Sequence, residues 1–177
     1  MRRRLLLYVG LSFYSLTGCQ PAAPNWTPLP KPIAAPDFTL PTLAGGTVTL
    51  SSLRGQVVIM EFWATWCGPC RYSTPSLDAV YRKFRDRRVS VLLINEGEDA
   101  DRVRAWVQGR FQAPILLDAD TRVGWQYGVR GIPRLFVVDQ AGQIVYVRSG
   151  YSGGLERNLE AAITQLLTAH GATAHGG

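Results

Sequence analysis

The stretch that most constrains this chain is Trp66-Cys67-Gly68-Pro69-Cys70. An unbroken apolar run, Val57 to Trp63, precedes it, and a run able to form a helix, Arg71 to Asp86, follows it. Strand, C-x-x-C and helix in that order place Cys67 at or just before a helix N-terminus. There the unpaired backbone N–H groups and the positive end of the helix dipole favour a thiolate over a thiol. A thiolate is the attacking species in thiol–disulfide exchange, and Cys70 is spaced to resolve the mixed disulfide that results. The competing use of such a pair, half of a zinc site, needs two more Cys or His ligands. The remaining candidates are Cys19, His170 and His175, at the two extremes of the chain. A redox dithiol is therefore expected, with no metal and no cofactor.

The N-terminus reads as an address. Arg2 to Arg4 form a basic region and Leu5 to Leu16 a short apolar one, too short for a bilayer span of ~20 residues. Leu16-Thr17-Gly18-Cys19 resembles the lipobox of bacterial lipoproteins, in which the bond before the cysteine is cut and the thiol is lipidated. That use of Cys19 also explains an odd cysteine count in an exported chain. A cleaved leader over residues 1–18 is expected, with a lipid anchor at Cys19 on the periplasmic side or the outer face of a bacterial membrane. Losing Arg2, Arg3 and Arg4, in a leader without acidic residues, lowers the net charge from +6 to +3. That is too mild to argue for nucleic acid. Residues 19–36 hold six of the 11 prolines and read as an extended spacer.

The folded domain is expected over 37–170, with a disordered tail at 171–177. Phe38–Leu43 and Thr47–Leu50 read as a hairpin around Gly45, and Val57–Trp63 as a central strand covered on both faces. A first helix is expected over 67–86, bent at Pro75. Then come a strand at Val89–Ile94, an amphipathic helix at Asp99–Phe111, a short strand at Ile115–Leu117 and a short helix at Thr121–Tyr127. A strand pair, Leu135–Val138 with Ile144–Arg148, and a last helix at Leu155–Ala169 complete the domain. This order gives an α/β fold with a mixed sheet and helices on both faces.

Glu61 is a charged residue inside the apolar central strand. Buried there, its pKa should rise, and it could take a proton from Cys70. An edge position, with the carboxylate reaching water, is the alternative.

Phe62 to Cys70 resembles the active-site block of the thioredoxin superfamily, and Gly128-Val129-Arg130-Gly131-Ile132-Pro133 its cis-proline loop. The N-terminal β-hairpin and the helix and strand between Ile94 and Thr121, a central αβ insertion, resemble the membrane-anchored TlpA/ResA-like group. That group often carries a glutamate where this chain has Ser73. The resemblance implies that Cys67 is the nucleophile and Cys70 the resolving thiol. It implies that Pro133 is cis and faces the disulfide, and that the Ile132 backbone pairs with an extended substrate segment. Trp66, Gly68 and Pro69 would complete the binding surface, and Gly68-Pro69 resembles the reducing members. It further implies protein disulfide substrates such as apocytochrome c, a membrane thiol as electron donor, and a monomer.

Two other functions compete with this one. A thiol peroxidase of the peroxiredoxin class carries Pro-x-x-x-Thr/Ser-x-x-Cys, whereas Met60 stands seven residues before Cys67. A non-catalytic peptide-binding module would have no use for an intact C-x-x-C beside an acid.

Overall fold

The computed structural model describes residues 28–173. The leader, Cys19, the start of the spacer and residues 174–177 lie outside the described residues. Within them, eight strands and four α-helices follow one another: β1 (Ile33–Ala34), β2 (Thr39–Pro41), β3 (Thr47–Thr49), β4 (Val57–Trp63), α1 (Cys70–Phe84), β5 (Val89–Glu96), α2 (Ala100–Val107), β6 (Ile115–Asp118), α3 (Arg122–Gln126), β7 (Arg134–Val138), β8 (Gln143–Ser149) and α4 (Leu155–Thr173).

Six strands form one mixed sheet in the order β1-β8-β7-β4-β5-β6. β4, β5 and β6 run parallel, while β7 pairs antiparallel with both β4 and β8. β2 and β3 form the expected hairpin, which touches the β6 edge through a bridge from Thr42 to Leu116.

Every residue of β4 is buried. Because side chains alternate along a strand, β4 serves two cores. Val57, Ile59 and Trp63 pack on the face covered by α1, α2 and α4, with Leu77, Val80, Val103 and Leu159. Val58, Met60 and Phe62 pack on the opposite face with Val123 of α3, with Tyr127 just after it, and with Phe38 and Leu40. The helices thus lie on both faces, and Glu61 belongs by parity to the face that carries α1.

Four expectations change. α1 begins at Cys70, with Pro69 as its N-cap, so Cys67 and Gly68 lie in the preceding turn; the helix continues through Pro75 to Phe84. α2 stops at Val107 rather than Phe111, because Gln108 and Gly109 both take left-handed backbone angles (φ 47° and +70°). Residues 28–36 are not only spacer. Ile33 and Ala34 pair with Ile144 and Gln143 of β8, and the Leu29 N–H donates to the Val145 carbonyl at 2.8 Å. β8 would otherwise present an open edge. Pro32 and Pro36, which lack N–H groups, hold the added strand to two residues. α4 also runs past Ala169 to Thr173, into the stretch expected as tail. No helix among the described residues is long and apolar enough to cross a membrane.

Candidate active site

The parallel strands end where β7 begins and β8 finishes, since Phe62 pairs with Arg134 and Arg134 with Ser149. The loops after β4, β5, β6 and β8, and the loop before β7, therefore gather at one edge of the sheet. The C-x-x-C lies in the first of these loops.

Cys67 and Cys70 form a disulfide with a Cα–Cα distance of 5.3 Å. Both are nearly buried, Cys67 at 3% exposure and Cys70 at 1%. The Cys70 N–H, the first of α1, donates to Cys67 Sγ at 3.3 Å. A helix-terminal donor thus points at the sulfur that would carry charge after reduction. Gly68 and Pro69 are exposed, and Trp66 stands out at 65% exposure. Trp63 is fully buried against Trp106, with ring centroids 5.0 Å apart.

The Ile132–Pro133 peptide is cis, as the resemblance implied. Ile132 packs against the core cluster that contains both cysteines. It belongs to no strand. The Gly150 N–H donates to the Pro133 carbonyl at 2.8 Å, tying the loop after β8 to the proline loop.

Glu61 is fully buried, which removes the edge alternative. Thr74 of α1, one turn beyond Cys70, donates its hydroxyl to Glu61 Oε2 at 3.0 Å. Glu61 Oε1 and the buried Ser73 hydroxyl each lack a hydrogen-bond partner. Burial pushes the Glu61 pKa up to about 7, against the pull of the Thr74 bond and of the nearby, unbonded Ser73 hydroxyl. At neutral pH the carboxyl can therefore hold or release a proton, and Oε1 is free to accept one.

Besides Glu61, the structure brings other acids to this edge of the sheet. Glu98, in the loop after β5, accepts hydrogen bonds from Thr65 N (2.7 Å), Thr65 Oγ1 (2.6 Å) and Asn95 Nδ2 (2.8 Å). Arg102 Nε lies 2.9 Å from Glu98 Oε1, the oxygen that also accepts the Thr65 hydroxyl. Burial alone would raise its pKa, but these donors and the Arg102 charge outweigh burial and hold it below the usual value. Glu98 is thus an anchor for the loop leading to Cys67, not a proton carrier. Glu96, at the end of β5, is pushed up to about 8, first by burial and then by the charge and hydrogen bonding of Asp118. Asp118 itself accepts the Gly124 N–H at 2.8 Å. The available signal was β5 itself: a strand parallel to β4 must deliver its following residues beside the motif.

Comparison with known proteins agrees with this geometry. Residues 33–147 match the AhpC/TSA family. The chain is 34% identical to the thiol-disulfide oxidoreductase ResA of Geobacillus kaustophilus over 71% of its own length and 74% of the relative's. The chain belongs to the ResA-like group of the thioredoxin superfamily. It is also 32% identical to ResA of Bacillus subtilis, over 66% of this chain and 65% of that one, so the match leaves about a third of that relative uncovered. Among solved structures, the exposed lipoprotein thioredoxin of Streptococcus pneumoniae superposes with a TM-score of 0.65 at 29% identity. That match covers 74% of this chain and all of the other.

Proposed function

We propose that this protein is an extracytoplasmic thiol:disulfide oxidoreductase that reduces protein disulfides. The observation that carries it is the Cys67–Cys70 disulfide at the start of α1, with the first helical N–H on Cys67 Sγ. In the reduced enzyme the Cys67 thiolate attacks a substrate disulfide, forming a mixed disulfide and releasing one substrate thiolate. Glu61 accepts the Cys70 proton. The Cys70 thiolate then attacks Cys67 Sγ, which releases the second substrate thiolate and leaves the enzyme disulfide. Two electrons from a membrane thiol donor return it to the dithiol. An extended substrate segment lies along Ile132 and Pro133, adding as a strand beside Trp66, Gly68 and Pro69. Apocytochrome c is a substrate of the right kind. A Cys19 lipid would hold the domain near the membrane donor, a reading supported by the similarity to the pneumococcal thioredoxin described as an exposed lipoprotein.

Cys70→Ser should accumulate a mixed disulfide with insulin, and Cys67→Ser should abolish insulin reduction. The reduction potential of the pair sets the direction: a value near −270 mV fits a reductant, and one near −120 mV reverses the assignment. The AhpC/TSA match keeps thiol peroxidase as the second reading. Met60 counts against it, being buried in β4 where that class has proline. Rapid peroxide turnover with slow insulin reduction would move the protein to that class.

A further inference from the structure

Two arginines flank the cis-proline, Arg130 and Arg134. Among the described residues neither forms an ion pair; the five that exist involve Arg82, Lys83, Arg102, Arg104 and Arg122. The Arg134 guanidinium lies over Phe136, with Cζ 5.6 Å from the ring centroid, and its Nη1 donates to Ser149 Oγ. Its Nε–H is buried without a partner. An unsatisfied charged donor is costly and points to a missing acceptor. Arg130 holds its guanidinium 4.4 Å from the ring centroid of exposed Trp125. Between the two arginines lies an open pocket of about 350 Å³, lined also by Gly131, Ile132, Ser149 and Gly150.

The pocket borders Ile132, the position where a substrate segment would lie. A planar carboxylate suits it, because a guanidinium can give a carboxylate two parallel N–H bonds. We propose that this pocket binds the carboxylate of an Asp or Glu side chain close to the reacting cysteine of the substrate, so that the protein prefers disulfides with acidic neighbours. The inference rests on the reductase reading above and names its substrate class. The bland alternative is a pair of solvated surface arginines, with Arg134 serving only to cover Phe136.

The test uses disulfide peptides with Glu, Gln or Lys placed in turn at each position within three residues of the cysteine. Wild type should reduce the best Glu peptide about tenfold better than its Gln counterpart in kcat/KM, mainly through KM, and the advantage should shrink with added salt. In Arg134→Gln and in Arg130→Gln the Glu-to-Gln ratio should fall toward one, and Arg134→Glu should favour the Lys peptide. Equal rates for all three peptides at every position would overturn the proposal. So would a Glu preference that survives in the double variant. A second readout does not depend on turnover. A Glu peptide with serine in place of cysteine, titrated into the oxidised protein, should shift the Arg134 Nε–H resonance, and the Gln peptide should not. If wild type reduces neither insulin nor any peptide, the reductase reading fails, while the Nε–H titration still decides the pocket.

Discussion

Glu61 is the proton acceptor proposed for Cys70. Replacing it with glutamine keeps the shape and removes the proton acceptor. The decay of the mixed disulfide near pH 7 should slow by up to roughly 10²-fold, with the Cys67 attack changing much less. Stopped-flow kinetics of formation and decay separate the two steps, and unchanged decay would leave solvent as the base. The same residue couples folding to pH. Its folded pKa, about 7, lies above the ordinary value of 4.5, so the folded state holds the proton more tightly than the unfolded chain. The benefit is complete below about pH 4.5 and is lost as pH rises through about 7, amounting to roughly 3 kcal/mol. Denaturation of wild type and Glu61→Gln between pH 4 and 9 should show the variant gaining relative stability across that window. Glu96, raised to about 8, acts with the same sign in both proteins and cancels from the difference. A lone acid in an apolar strand made Glu61 legible in the sequence; its bond from Thr74 needed the helix laid across the strand.

Two elements meet at Glu98. It joins the loop after β5 to the loop after β4 through the Thr65 backbone and hydroxyl, two residues before Cys67. Glu98→Ala would leave the Thr65 N–H and the Asn95 amide buried without an acceptor. We expect a loss of about 2–4 kcal/mol in denaturant unfolding. Slower attack by Cys67 should accompany it, because the turn that presents the thiol loses its tether. Glu98→Gln should recover part of both, since the amide oxygen can still accept one of these bonds. Elements were legible from periodicity and breakers, and their ends were less so. α1 starts at Cys70 rather than Cys67 because the turn Ala64–Cys67 closes on its own bond, from Cys67 N–H to the Ala64 carbonyl at 3.1 Å.

For the molecule as a whole, the N-terminal extension completes the sheet. A chain beginning at residue 37 should unfold about 2–4 kcal/mol more easily than one beginning at residue 28. The shorter chain loses the buried Ala35, the bonds to Val145 and Gly142, and the Tyr127 hydroxyl bond to the Pro36 carbonyl at 2.6 Å. Equal midpoints and slopes in urea would show β1 to be dispensable. Lipid attachment is tested separately: a fatty-acid label should enter the full chain in a bacterial host and be lost in Cys19→Ser. The sequence by itself determined the alternation of strands and helices, the redox pair and the proline loop. The first two are written in local chemistry, side-chain period and the spacing of two thiols, whereas the cis form of Ile132–Pro133 was implied only by the resemblance to the thioredoxin superfamily. Only the tertiary structure decided that residues 33–34 pair with β8, that Glu98 and Glu96 come to the edge that carries Cys67, and that Arg130 and Arg134 enclose a pocket without a counter-charge. Those features depend on which strand ends lie side by side, and strand order is a property of the packed sheet that no local pattern encodes.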